Sequence, residues 1–331
     1  MSGGREGDPP DSLSESATQA AVETREDPLL AGFSRERRVL VAGGSGFVGG
    51  HLLDRLSARG HRVRAVSRTG ASEHRPSSQG VQWVRADVTR ESEVRGLAED
   101  CDVLVHLAGI RQESPGATYR GVHVEGTRCL LTEAARAGAD RFVFMSALGA
   151  TLEAHPFFAS KAAAEEQVRR SGIDWTIFRP AAIFGPDDHF MAPTARWLRR
   201  WPVFLVPAGR DLTLRPVAVE DVADALTQSV ERDDLAGETY CLAGPDVLTL
   251  EACVRTVARV LQLRRWVRSV PPGLAERLLT WSRRMGLPTP SLAEGWQLLC
   301  GRPEPGAGPE DFRETFQVEP LPFREALEDY L

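Results

Sequence analysis

A doubly wound α/β fold, with helices on both faces of a parallel sheet and a smaller C-terminal lobe, is what this 331-residue chain predicts. Three observations predict it. Short β-branched apolar runs alternate with amphipathic helical stretches from Arg37 onward. The runs are continuously apolar, as strands buried on both faces are. The first run opens directly into a glycine-rich turn at the head of a helix.

In order, strands are expected near Val39–Ala42, Arg62–Ser67, Val81–Ala86, Val103–Leu107, Phe142–Ser146 and Trp175–Phe178. Helices fall between them near Phe47–Arg59, Glu91–Ala98, Tyr119–Ala137 and Ser160–Ser171. The first helix sets Val48, Leu52 and Leu56 on one stripe, the spacing of a buried face. Beyond Gly185 the pattern loosens. A helix at Ala192–Arg200, a strand at Leu214–Val219, a helix at Glu220–Glu231 and a strand at Thr239–Leu242 precede helices near Leu250–Leu261, Gly273–Met285 and Ser291–Cys300. The organisation expected is an acidic disordered tail over 1–36, a nucleotide-binding domain over 37–245 with lobe elements from about 185, and a mostly helical region over 246–331.

Composition removes several classes. Apolar residues make up 42% and charged residues 26%, with no run of 18 apolar residues, so a membrane-spanning helix and a secretory signal are not expected. Five scattered cysteines without a CxxC argue against a disulfide scaffold and a zinc site, and no metal is assigned. A reduced cytoplasm fits. The net charge of −6 conceals a segment, 255–285, with eight arginines and one acid, Glu276. An acidic body with one basic stretch is not the profile of a nucleic-acid binder. Of forty basic residues only Lys161 is lysine, which asks what an ammonium does there that a guanidinium does not.

The glycine turn, Gly43-Gly44-Ser45-Gly46-Phe47-Val48-Gly49, has a mechanical reading. Gly43 permits a tight turn, Gly46 lets backbone amides reach a diphosphate, and Gly49 lets the helix approach the strand, with the helix N-terminus adding positive potential. At the end of the second strand an NAD site normally holds an acid, but here stands Arg68, suited to a 2′-phosphate. NADP(H) is therefore preferred, with NAD(H) the alternative. Asp87-Val88 after the third strand would meet the adenine, or Asp87 would simply cap a helix. Leu107-Ala108-Gly109, after the fourth strand, would let the cofactor ribose pass close to the backbone. His106 is expected to be a core histidine.

These features, with Val124-Glu125-Gly126-Thr127-Arg128, Ser146-Ala147-Leu148-Gly149-Ala150, Ser160-Lys161-Ala162-Ala163-Ala164-Glu165, Trp175-Thr176-Ile177-Phe178-Arg179-Pro180, Phe184-Gly185-Pro186 and Pro216-Val217-Ala218-Val219-Glu220-Asp221-Val222-Ala223, resemble the atypical short-chain dehydrogenase/reductases. The likeness is to relatives of the nucleotide-binding accessory subunit of respiratory complex I and, more loosely, to NmrA-like proteins. It implies a Rossmann-type fold. It also implies that Ser146 positions a substrate oxygen and that Lys161 holds the nicotinamide ribose, with Pro180 and Ile183 completing the cofactor contacts. The family's proton-donating tyrosine falls at Phe157, and a phenyl ring has no proton to give. Tyr119 and His123, where the family often has Asn, lie near the site in sequence. An i, i+4 ion pair with Glu165 is the structural alternative for Lys161.

Three functions are thus in play: an accessory or sensing NAD(P)H binder linked to respiratory or quinone metabolism, an active NADPH-dependent reductase or epimerase on a small substrate, and a peripheral membrane partner protein. The last rests on 255–285, where Leu274, Leu278, Trp281 and Met285 form a stripe beside Arg277, Arg283 and Arg284, and on Trp197-Leu198-Arg199-Arg200-Trp201. Core packing of the stripe is the expectation set against it.

Overall fold

The computed structural model describes residues 36–70, 80–152, 155–207, 213–284 and 309–331. The predicted acidic tail up to residue 35, the helix predicted at Ser291–Cys300, Met285 and Cys300 lie outside the described residues.

Seven parallel strands form the central sheet: β1 (Arg38–Ala42), β2 (Arg62–Ser67), β3 (Val81–Arg85), β4 (Val103–His106), β5 (Arg141–Met145), β6 (Asp174–Pro180) and, from the second half, β11 (Glu238–Leu242). Their order is β11-β6-β5-β4-β1-β2-β3, so the succession of parallel strands switches from one side of β1 to the other between β3 and β4. β1 and β4 are buried throughout or nearly so, because both sheet faces are covered, which is why they read as unbroken apolar runs.

Helix α1 (Phe47–Ala58) buries Val48, Leu52, Leu53 and Leu56. It packs beside α6 (Val219–Glu231) on one face, in a core shared with Val39, Val41, Val105 and Phe178. α3 (Gly126–Ala137) and α4 (Pro156–Arg169) cover the other face over Leu40, Leu104, Phe142 and Phe144. The short α2 (Glu91–Val94) ends earlier than predicted, its chain continuing as turns to Asp100. α4 starts four residues earlier than predicted, with Pro156 in its first turn, and so carries Phe157. The stretch before α3 is a π-helical turn, Arg120–Glu125, not the α-helix that the sequence suggests.

The second half adds three two-stranded sheets that sequence periodicity did not reveal as pairs. β7 (Ile183–Phe184) pairs with β10 (Val217–Ala218), and β9 (Thr213–Leu214) with β12 (Leu248–Thr249). The single strand expected at Leu214–Val219 is therefore two, with Val219 already in α6. β8 (Val203–Pro207) lies parallel to β13 (Trp266–Val270). α5 (Met191–Arg200) and α7 (Leu250–Val260) share with this part a third core around Phe184, Phe204, Val254 and Phe323. α8 (Pro272–Arg284) follows β13 beside β8. No helix among the described residues is long and apolar enough to cross a membrane.

Candidate functional site

β1 delivers the chain to the carboxyl edge of the sheet, where it must turn sharply into α1. Gly43 does this in the left-handed region, at φ +92°, its amide donating to the Val66 carbonyl at 2.9 Å. A Cβ on Gly43 would lie 2.7 Å from the Ala108 nitrogen, and one on Gly49 would lie 2.3 Å from the Gly43 oxygen. Those two glycines are required by backbone contact inside the protein. Gly46 is different. It is exposed, at φ −76°, and an added Cβ there would meet only the Gly43 oxygen, at 3.2 Å. α1 starts at Gly46 with no side-chain cap and no acid in its first turn. Its leading amides are thus turned toward open space without an internal acceptor, the arrangement that receives a diphosphate. Ser45, Phe47 and Val48 line the same turn.

Arg68 stands exposed at the end of β2, close enough to Asp87 that its charge helps hold that carboxyl below the ordinary carboxylate range. Burial alone would raise Asp87; hydrogen bonds from the Thr89 amide (3.0 Å) and hydroxyl (2.8 Å) bring it down. Asp87 therefore holds a local turn through Thr89 and does not cap a helix, the N-cap of α2 being Arg90. Val88 is buried against Gly126. Leu107 and Ala108 are half-buried beside Gly43, and Gly109 is exposed.

The catalytic positions of the resemblance come together between β5 and α4. Lys161 is buried, and its ammonium donates to the Met145 carbonyl at 2.9 Å and sits 5.1 Å from the Phe144 ring centroid. Burial pushes its pKa down to about 8, with Glu165 working in the opposite sense. A Cβ on Gly109 would lie 3.4 Å from this ammonium, so Lys161 faces the exposed Gly109 loop. An ammonium has three donors, and one carbonyl leaves room for a ligand that accepts.

Glu165 does not spend itself on Lys161. It is fully buried, its oxygens accepting from Arg179 at 2.7 and 2.9 Å, from Arg169 at 2.9 Å, and from the hydroxyl of Ser146 in a very short bond. Burial pushes the carboxyl up, while hydrogen bonds from Arg179 and Ser146 bring it below its ordinary value. It is therefore a carboxylate, and Ser146 points its proton at it. What Ser146 can offer a ligand is lone pairs.

His123 is fixed too. Ser160 donates to the Phe157 carbonyl at 2.7 Å, so its oxygen accepts from His123 Nδ1–H at 2.7 Å, while His123 Nε2 accepts from the Ile110 amide at 3.0 Å. Burial first, then Lys161, holds this imidazole far below its usual range. It is neutral, with both nitrogens occupied. His106, as expected, is a core residue: Thr127 donates to the His123 carbonyl and accepts from His106 Nε2 at 3.0 Å, and burial lowers the His106 pKa to about 3. The π-helical turn sets Tyr119 against this group, stacked on His123 at 5.7 Å and edge-on to Phe157 at 5.8 Å. Its hydroxyl donates to the Arg111 carbonyl at 2.7 Å, and burial raises its pKa.

Two residues escaped sequence reasoning. Glu165 was visible only as an i+4 partner of Lys161, because its true partners come from β5, β6 and the next turn of α4. Arg111, two residues past Gly109, is exposed; neighbouring protein pushes its guanidinium below the usual range while Asp188 pushes it back up. Its position just after the carboxyl end of β4 was the available signal. Pro180 is buried at the end of β6, and Ile183, three residues on, is half-buried in β7, which pairs with β10 in a separate sheet. Among the described residues, no group of three or more His, Cys, Asp or Glu side chains is placed to hold a metal ion.

Comparison with known proteins agrees with this geometry. A family model described as NAD(P)H-binding matches residues 43–233, more than half of the chain. The mitochondrial 40 kDa subunit of NADH-ubiquinone oxidoreductase from Neurospora crassa is 28% identical over 253 residues, covering 73% of this chain and 66% of that one. The chain thus spans just under two thirds of that relative's length. A 4-hydroxy-2-methyl-3-oxo-4-farnesyl-3,4-dihydroquinoline-1-oxide ketoreductase from Stigmatella aurantiaca is 30% identical, covering 71% of this chain and 76% of that one. Among solved structures, the Bordetella bronchiseptica enzyme WbmH in complex with NAD+ matches with a TM-score of 0.67 at 18% identity, over 89% of this chain and 97% of that one. By its glycine turn, its sheet order, its β5–α4 lysine and these matches, the chain belongs to the NAD(P)H-binding family, among the atypical short-chain dehydrogenase/reductases.

Proposed function

We propose that this protein binds a nicotinamide dinucleotide without reducing a carbonyl, the ligand acting as a structural or sensed component of an accessory protein in respiratory or quinone redox metabolism. The observation that carries this is the fate of two protons. Phe157 has none to give, and that of Ser146 is directed at the buried Glu165 carboxylate. Tyr119 spends its proton on a backbone carbonyl, and His123 is neutral with both nitrogens occupied. With Lys161 given to the ribose, a carbonyl oxygen entering here would gain negative charge with no side-chain proton donor left for it among the described residues. General acid catalysis is typically worth about 10²–10⁴-fold, so its loss is decisive.

What remains suits binding. Gly43, Ser45, Gly46 and Gly49 with the amides of Phe47 and Val48 would hold the diphosphate, Lys161 the nicotinamide ribose, and Arg68 a 2′-phosphate, hence NADPH over NADH. Asp87 and Val88 would border the adenine, and Leu107, Ala108, Gly109, Pro180 and Ile183 the remaining contacts. Bound, such a dinucleotide supplies a hydride donor. Kinship with a subunit of NADH-ubiquinone oxidoreductase supports the accessory role and a protein partner.

Titrating NADPH and NADH while following tryptophan fluorescence, then assaying NADPH oxidation with carbonyl and quinone acceptors, tests the proposal. Tight NADPH binding with no turnover is expected; steady turnover by the unaltered protein overturns it. Phe157→Tyr is expected to gain activity only where a substrate still fits. The alternative reading, an active reductase or epimerase, is favoured by the retention of Lys161 with a lowered pKa and by the ketoreductase relative.

A further inference from the structure

We propose that a tryptophan–arginine face on the second half of the protein is a docking surface for an anionic lipid bilayer. Six of the eight large hydrophobic side chains exposed among the described residues gather there: Trp201, Val203, Trp266, Leu274, Leu278 and Trp281. The fold brings them together. Val203 opens β8 and faces Trp266 across the parallel ladder, Trp201 lies two positions before Val203, and α8 runs beside β8. Alternation along the strands sends Phe204, Val206 and Val267 inward and leaves Val203, Trp266 and Arg268 outward. The stripe on α8, for which core packing was expected, is instead in water: Leu274 is 47% exposed and Trp281 57%. Periodicity identifies an apolar face; it does not say what covers it.

Charge identifies the occupant. Residues 196–203 and 259–284 hold ten arginines and one acid, Glu276, within a chain whose net charge is −6. Arg199, Arg200, Arg264, Arg268 and Arg277 are exposed, and Arg268 lies over the Trp266 ring. Indole rings partition to the interface between headgroups and acyl chains, and arginines reach up from the same face to phosphates. A second copy docking through the same face would oppose like charges across its symmetry axis. An anionic bilayer meets both the apolar and the cationic parts.

The test is flotation of the full-length protein with phosphatidylcholine vesicles and with vesicles containing about one-third phosphatidylglycerol, across a salt series. Binding to the anionic vesicles alone, released by salt and accompanied by a blue shift of tryptophan emission, is expected. Arg264→Gln and Arg268→Gln are each expected to lower partitioning about fivefold. Trp266→Ala and Trp281→Ala should lower it on the anionic vesicles at every salt concentration where the unaltered protein still binds. Every variant should keep the NADPH affinity of the unaltered protein, which separates loss of docking from loss of fold and from failure of the nucleotide reading. Equal binding to both vesicles, no binding, or a solution dimer that Trp266→Ala dissolves would each overturn the proposal.

Discussion

At the scale of single residues, the site is governed by where protons are committed. Glu165 compensates two guanidiniums and holds the Ser146 hydroxyl, so the junction of β5 and α4 is a structural ion cluster. Glu165→Gln removes the charge while keeping the shape. It is expected to cost about 2–4 kcal/mol in denaturant unfolding, below the fully buried range because Arg169 and Arg179 both reach solvent. Lys161 gives a different signature. Its pKa near 8 in the free protein reflects burial, and a ribose ligand that accepts from the ammonium stabilises the protonated form. NADPH affinity is therefore expected to be greatest below pH 8 and to weaken as pH rises through about 8. Lys161→Met should bind more weakly and lose that pH dependence, as measured by fluorescence titration. An unchanged profile in the variant would remove Lys161 from the nucleotide.

At the scale of elements, the β1–α1 turn separates two kinds of glycine. Gly49→Ala puts a Cβ against the Gly43 and Gly44 carbonyls, backbone that has nowhere to go, and is expected to destabilise the fold by about 1–3 kcal/mol. Gly46→Ala finds an ordinary φ and one contact at 3.2 Å, so melting should barely change while NADPH binding falls at least about tenfold. Thermal melts paired with titrations distinguish them; a Gly46→Ala variant that binds normally would mean the diphosphate does not sit over this turn. The turn and six of the sheet's seven strands were legible from local pattern, because buried parallel strands and helix stripes write themselves into short windows. The seventh, β11, was found as a strand but its place beside β6 follows only from the topology. β8 and β13 were not legible: Val203 meets Trp266 across a long stretch of chain, so their pairing leaves no mark in a short window. The π-helical turn that aims Tyr119 and His123 has no signature separate from an α-helix in the sequence. The Ser146–Glu165 lock needed Arg179 from a different strand before it could be seen.

At the scale of the whole molecule, the last described stretch, 309–331, ties separate cores together. Phe312 and Phe316 enter the core under α1 and α6, and Phe323 and Leu327 enter the core around α7. Two carboxylates, one buried and one half-buried, fix the path between them: Asp221 of α6 accepts the Leu321 amide at 3.0 Å, and Asp246 accepts that of Phe323 at 2.7 Å. Asp221 is costly as an anion, since burial raises its pKa to about 6 against only partial relief from the Leu321 amide. The folded state thus binds a proton at Asp221 more tightly than the unfolded chain does. The sign of the linkage follows: this contribution to stability is full below about pH 4 and is lost as pH rises through about 6, a difference of about 2–3 kcal/mol. Asp221→Asn keeps the carbonyl acceptor for Leu321 without the charge. Its stability relative to the unaltered protein is expected to improve steadily between pH 4 and pH 7, measured as the difference in unfolding free energy at each pH so that other titrating groups cancel. A difference that stays flat across this interval would mean that Asp221 is hydrated in solution and that the 309–331 segment does not seal it.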